Sequence, residues 1–434
     1  MAEFEFRGLL EIDQKGFGFT RQMSREYAQS DSDVYVPRNI LQQYELREGC
    51  ILHGMAKEGK KSREAVELID VNGIKADEYC DVPHFKDGIV IAPHERLVLE
   101  TRDMTSRIID LIVPVGRGQR ALIVAPPKSG KTIMMQNIAK SLIENYPDLE
   151  LLLLLIDERP EEVTDMERML KAKVFASSND KDFESHSRIA RFTLEYAKRQ
   201  VEVGKDIVIL LDSLTRLGRV FNAGQKGSGR IMSGGIDARA LETPKKIFGA
   251  SRKIENGGSL TIIATILVDT GSRMDELIFQ EFKGTGNSEI VLDRELSDLR
   301  IYPALNIQLS GTRREELLLG EDLEKHTVLR RALLNGTNKD AMIGLIDLLR
   351  KHRTNKEVLD SIHELAVAER PQKSFTKGGP FRRSGGDKPS AGGDQRQQRG
   401  HDRSQYKKNH HNNNNNNNNF RQRKGKGNGN RRGR

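Results

Sequence analysis

The chain has no tryptophan and only two cysteines, Cys50 and Cys80, in 434 residues. Two thiols this far apart build neither a disulfide framework nor a four-thiolate metal site, and they fit a reducing cytoplasm. Long apolar runs are missing too. Leu151–Ile156 is six residues, far short of the roughly 20 that cross a bilayer as a helix, so no membrane span is expected. The start, MAEFEFRGLL, has no basic segment followed by an apolar one, so no secretory signal is expected either.

The net charge of +9 hides a split. Residues 371–434 carry 17 Lys/Arg against three acids, whereas 1–370 carry 54 basic and 59 acidic residues, giving +14 and −5. The basic character belongs to the tail, and nucleic-acid binding by the body needs a local patch. The tail is Gly, Arg, Lys, Gln, Asn and Ser, with an unbroken Asn run from Asn412 to Asn419. It has too little to bury to offset the entropy of ordering, so it reads as disordered. Its basic stretch Arg421–Arg434 can neutralise phosphates. A solubilising or self-associating role is the alternative.

The body divides by texture. In residues 1–73, short alternating segments (Phe4–Phe6, Gly8–Ile12, Gly16–Phe19, Asp33–Val36, Gly49–Gly54, Ala65–Val71) are separated by turn residues. That pattern suits a small β-barrel of the OB or cold-shock kind. Phe17 and Phe19, two apart, point to one face of a strand, with Tyr35 on a nearby one and Arg21 extending the face with charge. Such aromatics either fill a barrel core or form a platform on which single-stranded bases stack. From about residue 101, short apolar runs (Ala121–Ala125, Leu151–Ile156, Ile207–Asp212, Ser259–Val268) alternate with helical stretches. This predicts βαβ units and a parallel sheet. Residues 322–370 repeat at helical spacing.

The chemistry concentrates at three points. Ala125-Pro-Pro-Lys-Ser-Gly-Lys-Thr132 follows a buried strand and opens a helix, the context of a phosphate-binding loop. Its backbone N–H groups would face phosphates, Lys131 adds a point charge, Thr132 offers a hydroxyl to Mg²⁺, and Gly130 lets the backbone approach closely. Ala125 stands where the usual pattern has its first glycine. Leu151–Ile156 runs into Asp157 and Glu158, and Ile207–Leu211 into Asp212. Acids at the carboxyl ends of parallel strands sit where ligands bind in open α/β sheets. Glu158 there could activate a water and Asp212 could hold Mg²⁺.

These motifs, with Leu211-Asp-Ser-Leu-Thr-Arg216, Asp269-Thr-Gly-Ser272, Glu281-Phe-Lys-Gly-Thr-Gly-Asn287 and Ser310-Gly-Thr-Arg-Arg-Glu-Glu-Leu317 in order, make the chain similar to the bacterial transcription termination factor Rho family over roughly residues 5–370. The resemblance implies an α/β fold class, with a RecA-like P-loop ATPase domain behind the OB or cold-shock barrel. The division would be barrel 1–75, connector 76–100, ATPase domain with C-terminal helices 101–370, and tail 371–434. It implies an RNA-dependent ATPase and 5′→3′ RNA/DNA helicase that terminates transcription as a cytoplasmic homohexamer, with ATP and Mg²⁺ as cofactors and single-stranded RNA and RNA polymerase as partners. By the same resemblance, nucleotide is held by Lys128, Ser129, Gly130, Lys131, Thr132, Ile133, Arg159, Asp212, Arg300 and Tyr302. Glu158 is the base, Lys131 also catalytic, Thr132 and Asp212 hold the metal, and Arg313 is an arginine finger in the neighbouring subunit's site. Phe17, Phe19, Arg21 and Tyr35 form the primary RNA site. Arg230 and Arg273 lie on loops lining the ring's channel. The chain departs from the family in starting almost directly at the barrel, in lacking an aromatic in Lys60–Glu67, and in its Asn-rich tail. A passive RNA-binding protein and a rotary ATP synthase subunit are the competing readings. Intact Lys131, Glu158, Asp212 and Arg313 argue against the first, and the stacking aromatics against the second.

Overall fold

The computed structural model describes residues 3–22, 27–59, 62–224, 233–237 and 239–368. The tail and Arg230 lie outside these residues.

The amino-terminal unit is a closed barrel. Strand β1 (Glu3–Ile12) pairs with β2 (Gly18–Arg21) on one side and β4 (Ile51–Glu58) on the other. β3 (Val34–Val36) pairs with β2 and, in parallel, with β5 (Arg63–Val71), which pairs with β4 and closes the ring. Phe4–Phe6 and Gly8–Ile12, read as two segments, run as one strand. Gly8 is not a break but a close crossing: a Cβ there would lie 2.7 Å from the Thr20 Cβ, so only glycine fits. The barrel core is Phe6, Leu10, Val34, Val36, Leu52, Ala56, Leu68 and their neighbours.

The second unit is a mostly parallel sheet with helices on both faces. Its strand order is Lys173–Ser178, Glu150–Glu158, Asp206–Asp212, Ser259–Leu267, Arg120–Ala125 and Ser288–Val291, with the short Gly311–Thr312 antiparallel at the edge. The unbroken leucine run has a simple cause. Leu151, Leu153 and Leu155 pack into the core on one face, and Leu152, Leu154 and Ile156 into the core on the other. A strand covered on both sides has no solvent face on which to place polar residues. Each such side chain, removed from water, contributes about 1.5–3 kcal/mol.

Helices Lys131–Asn145 and Leu323–Leu333, with the two that follow, Asn338–Lys351 and Asn355–Ala368, cover the first face. Phe183–Glu202 and Leu214–Ala223 cover the second. Part of the stretch read as a connector joins this domain: Val90–Ile91 pairs with Arg252–Ile254, and Leu97 and Leu99 are fully buried in its core. Helix Phe183–Glu202 also carries the barrel. Arg188 binds Glu11 and the Tyr27 carbonyl, and Arg199 reaches the Glu48 carbonyl.

On the barrel's outside, His53 joins three strands. Its Nδ1 lies 2.6 Å from Asp70 Oδ2, and its Nε2 meets Glu5. Hydrogen bonds to Glu5 and then to Asp70 hold the imidazolium pKa above its ordinary value. A group whose folded pKa is raised stabilises fully below its unfolded value, near 6.5, and that contribution is lost as pH rises through the folded value. The His53→Gln chain should therefore lose thermal stability relative to the parent at pH 5.5, with the gap closing toward pH 9. A gap independent of pH would show that the bridge acts as a neutral contact.

Candidate nucleotide site and RNA-binding face

The three motifs meet at the carboxyl edge of the sheet. Strand Arg120–Ala125 ends on a fully buried alanine whose register partner is Leu267. Here Ala125 belongs to the strand rather than to the turn, which explains why it need not be glycine. The turn itself is made by Lys128 at φ 65° and Gly130 at φ 95°. Gly130 immediately precedes helix Lys131–Asn145, so the helix's free N–H groups open toward the loop. Ser129 is buried and its hydroxyl donates to the Pro126 carbonyl at 2.7 Å, closing the turn. Thr132 is half-buried on the first turn, and Ile133 is exposed.

Lys131 Nζ lies 2.5 Å from Asp212 Oδ1 and 3.6 Å from Glu158 Oε1. Thr265 donates to the same Asp212 oxygen at 2.7 Å. Among the described residues both hydrogen bonds to Asp212 fall on Oδ1, which leaves Oδ2 for another donor or a cation. Glu158 is only 2% exposed, and among the described residues neither of its oxygens has a hydrogen-bond partner, its charged neighbours being held as ion pairs. A buried carboxylate without donors is costly. Burial first, and then the nearby Asp212 charge, push its pKa up to about 7, against the pull of Lys131 and Arg216. This is the property of a group poised to take a proton from a bound water.

Arg216, in a motif quoted above but given no role there, is the residue that sequence reasoning missed. Its guanidinium lies 3.1 Å from Glu158 Oε2 and donates to the Asp157 carbonyl. Its place four residues beyond Asp212, on the first turn of helix Leu214–Ala223 capped by Ser213, was the available signal.

The residues expected at the base lie beside the phosphate loop. Tyr302 is 45% exposed, and its Cε1 would sit 3.9 Å from a Cβ at Gly130. Arg300, at φ 60°, is exposed two residues earlier. Arg159 is exposed and pairs with Glu162 at 3.9 Å, at the rim of the site.

Arg313 is elsewhere. Its N–H donates to the Asn287 carbonyl, and the Asn287 N–H donates to the Arg120 carbonyl. Arg313 is thus level with Arg120, at the amino end of the strand whose carboxyl end feeds the phosphate loop. At ~3.3 Å per residue the two are on the order of 15 Å apart along the strand. The Arg313 side chain does not reach its own chain's phosphate loop. Arg273 is exposed on the first turn of helix Arg273–Lys283, beside a cleft of about 350 Å³ formed by Val268–Arg273 with Glu276 and Phe279.

On the barrel, Phe17, Phe19 and Tyr35 form a cluster, each half-buried, with ring centroids 5.5–5.7 Å apart. They are absent from the barrel core, which leaves their ring faces for a ligand. Arg21 corrects an expectation. It extends the same face, 5.4 Å over Phe19, but is only 6% exposed and paired with Glu11 and Asp33. It offers a neutralised pair, not free charge, because the β1–β2 register and the turn before β3 bring two carboxylates onto it.

Two family models match, the RNA-binding domain of Rho termination factor over residues 6–79 and the nucleotide-binding domain of the ATP synthase alpha/beta family over 105–312. The chain is 49% identical over 365 residues to the transcription termination factor Rho of Cereibacter sphaeroides, covering 82% of this chain and 86% of that one. It is 47% identical to that of Pseudomonas aeruginosa (82% and 87% covered) and 47% to that of Aquifex aeolicus (82% and 84%). The chain belongs to the transcription termination factor Rho family. The family's RNA-binding domain is here the barrel with the aromatic cluster, and its nucleotide-binding domain is the sheet with the phosphate loop. Solved structures extend the likeness of fold. A prototypical type III secretion ATPase of pathogenic bacteria shares it at TM-score 0.52 and 20% identity, over 64% of this chain and 86% of that one. The assembled secretion ATPase of enteropathogenic E. coli does so at TM-score 0.51 and 19% identity, over 64% and 72%. Among the described residues, no helix is long and apolar enough to cross a membrane.

Proposed function

We propose that this Rho-family chain is an RNA-dependent ATPase and 5′→3′ RNA/DNA helicase that binds nascent RNA and terminates transcription, working as a homohexameric ring in the cytoplasm with RNA polymerase as a partner. It hydrolyses ATP at the phosphate loop and binds RNA through the barrel. The observation that carries the reading is Glu158, a buried carboxylate without a hydrogen bond among the described residues, held beside Lys131 at the carboxyl end of strand Glu150–Glu158, three strands along the sheet from the phosphate-loop strand.

In this reading Lys131 moves from Asp212 to the β- and γ-phosphates when nucleotide enters, and the N–H groups around Gly130 receive the phosphate oxygens. Thr132 and the free Oδ2 of Asp212 suit a Mg²⁺ ion, which would neutralise phosphate charge. Glu158 takes the proton of the attacking water, and Arg216 keeps its carboxylate oriented. Tyr302 stacks on adenine, with Lys128, Ser129, Ile133, Arg159 and Arg300 around the nucleotide. Arg313 enters the next subunit's site, since its own is out of reach. Arg273 faces RNA in the channel, together with Arg230.

The test is ATP hydrolysis with and without single-stranded polypyrimidine RNA. Strong stimulation supports the reading, and RNA-independent turnover overturns it. The barrel's part is separable. Stacking is worth ~1–3 kcal/mol per base, so Phe17→Ala with Phe19→Ala should weaken pyrimidine-RNA affinity by at least tenfold. Hydrolysis at saturating RNA should persist. Filter binding decides it, and unchanged affinity would remove the cluster from the RNA site.

A further inference from the structure

Two carbonyls of the phosphate loop are tied to one short helix, Arg294–Asp298. Arg294 Nη1 donates to the Pro127 carbonyl at 2.6 Å, and the Ser297 hydroxyl donates to the Lys128 carbonyl at 2.9 Å. The helix is itself fixed. Its cap Asp293 accepts from the backbone N–H of Glu295 and Leu296 and from the side chain of Asn338, while Leu296 is buried in the core. Ser297 is buried as well. Its hydroxyl has one proton and spends it on Lys128, so toward the Tyr302 hydroxyl, 3.3 Å away, it can only accept. Tyr302 can also donate to the Ser297 carbonyl, at 3.4 Å. Ser297 therefore touches both ends of the nucleotide site.

We propose that Ser297 is a positioning residue that locks the phosphate loop and the Tyr302 ring into one rigid unit, setting affinity for a purine nucleotide by presenting its base and phosphate contacts at a fixed spacing. The inference rests on the nucleotide site proposed above. Lys128 sits at φ 65°, a left-handed conformation that a lysine keeps only where its surroundings hold it. The Ser297 hydroxyl holds the carbonyl of that residue, and so the direction of the N–H groups that follow it. The Tyr302 hydroxyl holds the ring against rotation away from Gly130. A site ordered before binding spends less of the ligand's interaction on ordering.

The experiment titrates the full chain with ADP and, separately, with pyrophosphate, both with Mg²⁺, by calorimetry. It compares the parent, Ser297→Ala, Tyr302→Phe and the double variant, with Lys131→Ala as the control for the site itself. Single neutral hydrogen bonds translate into affinity changes of about threefold to tenfold. Ser297→Ala should weaken ADP by that amount and pyrophosphate by less. Tyr302→Phe should weaken ADP by about threefold and leave pyrophosphate unchanged, and the double variant should lose less than the sum of the two single losses, the carbonyl of residue 297 remaining an acceptor for Tyr302 in Ser297→Ala. Additive losses in the double variant, equal loss of ADP and pyrophosphate in Tyr302→Phe, or parent-like ADP binding by Ser297→Ala would each overturn the coupling. Tyr302 is exposed, so its variant keeps the question open to test even where Ser297→Ala disturbs folding. Parent-like ADP binding by Lys131→Ala would instead overturn the nucleotide site and not the brace.

Discussion

A Glu158→Gln chain should bind ATP with nearly the affinity of the parent and hydrolyse it at least ~10²-fold more slowly, the loss typical when a positioned general base is removed. The substitution keeps the volume and removes the carboxylate's charge, and with it the ability to accept a proton. Phosphate contacts depend on Lys131, Gly130 and the helix N-terminus, which it leaves in place. Structure supports the fold's tolerance of the change. Among the described residues neither Glu158 oxygen has a hydrogen bond to lose, and although the ion pairs with Arg216 and Lys131 weaken, a neutral amide removes the buried charge and its repulsion with Asp212, which outweigh those pairs in raising the carboxyl's pKa. The variant should therefore be as stable as the parent or more so, which separates a catalytic loss from a folding one. Single-turnover hydrolysis with RNA present, alongside a nucleotide-binding titration, makes the measurement. Turnover near the parent's would assign the base elsewhere. Arg216→Ala is the companion. It should lower turnover by a smaller factor, since it orients Glu158 without accepting the proton.

What could be read from sequence followed periodicity and motif. The apolar runs at Leu151–Ile156 and Ile207–Leu211 became central strands because burial on both faces leaves a continuous signal. Lys131, Glu158 and Asp212 converge as their strand-end positions implied. Tertiary pairing was harder. That Arg21 is spent on Glu11 and Asp33 depends on cross-strand register, which a string of residues does not display. Arg216 stands in a quoted motif, but its reach to Glu158 runs from the helix after strand Asp206–Asp212 to the end of the neighbouring strand Glu150–Glu158. Val90–Ile91, two residues between prolines, reads as linker yet adds to the sheet because a partner strand, Arg252–Ile254, comes from more than 150 positions later. Helix Phe183–Glu202 has an Asp182 cap and an apolar stripe, so its signal is present in the sequence.

The Arg313→Ala chain should lose ATP turnover by ~10³-fold or more, the scale of an arginine finger supplied in trans, with nucleotide affinity and assembly close to the parent's. Arg313 is anchored through Asn287 to Arg120, at the end of the sheet remote from Ala125, and no side-chain rotation spans the remaining distance to its own loop. Behind it, Arg330 donates to the Ile307, Ser310 and Ile112 carbonyls, holding the finger's strand to the body. As the proposed finger, Arg313 would then act only on a neighbour. A mixture follows as the sharper test. Lys131→Ala subunits have a dead loop and an intact finger, and Arg313→Ala subunits have the reverse. Each is inactive alone. Where the two alternate in one assembly, a site built from the loop of one and the finger of the other is complete, so mixing should restore a fraction of the parent's turnover that depends on mixing ratio and vanishes on dilution to monomers. Two inactive chains that stay inactive together, in assemblies shown to contain both, would place Arg313 outside the reaction and leave the neighbour's transition state to another cation.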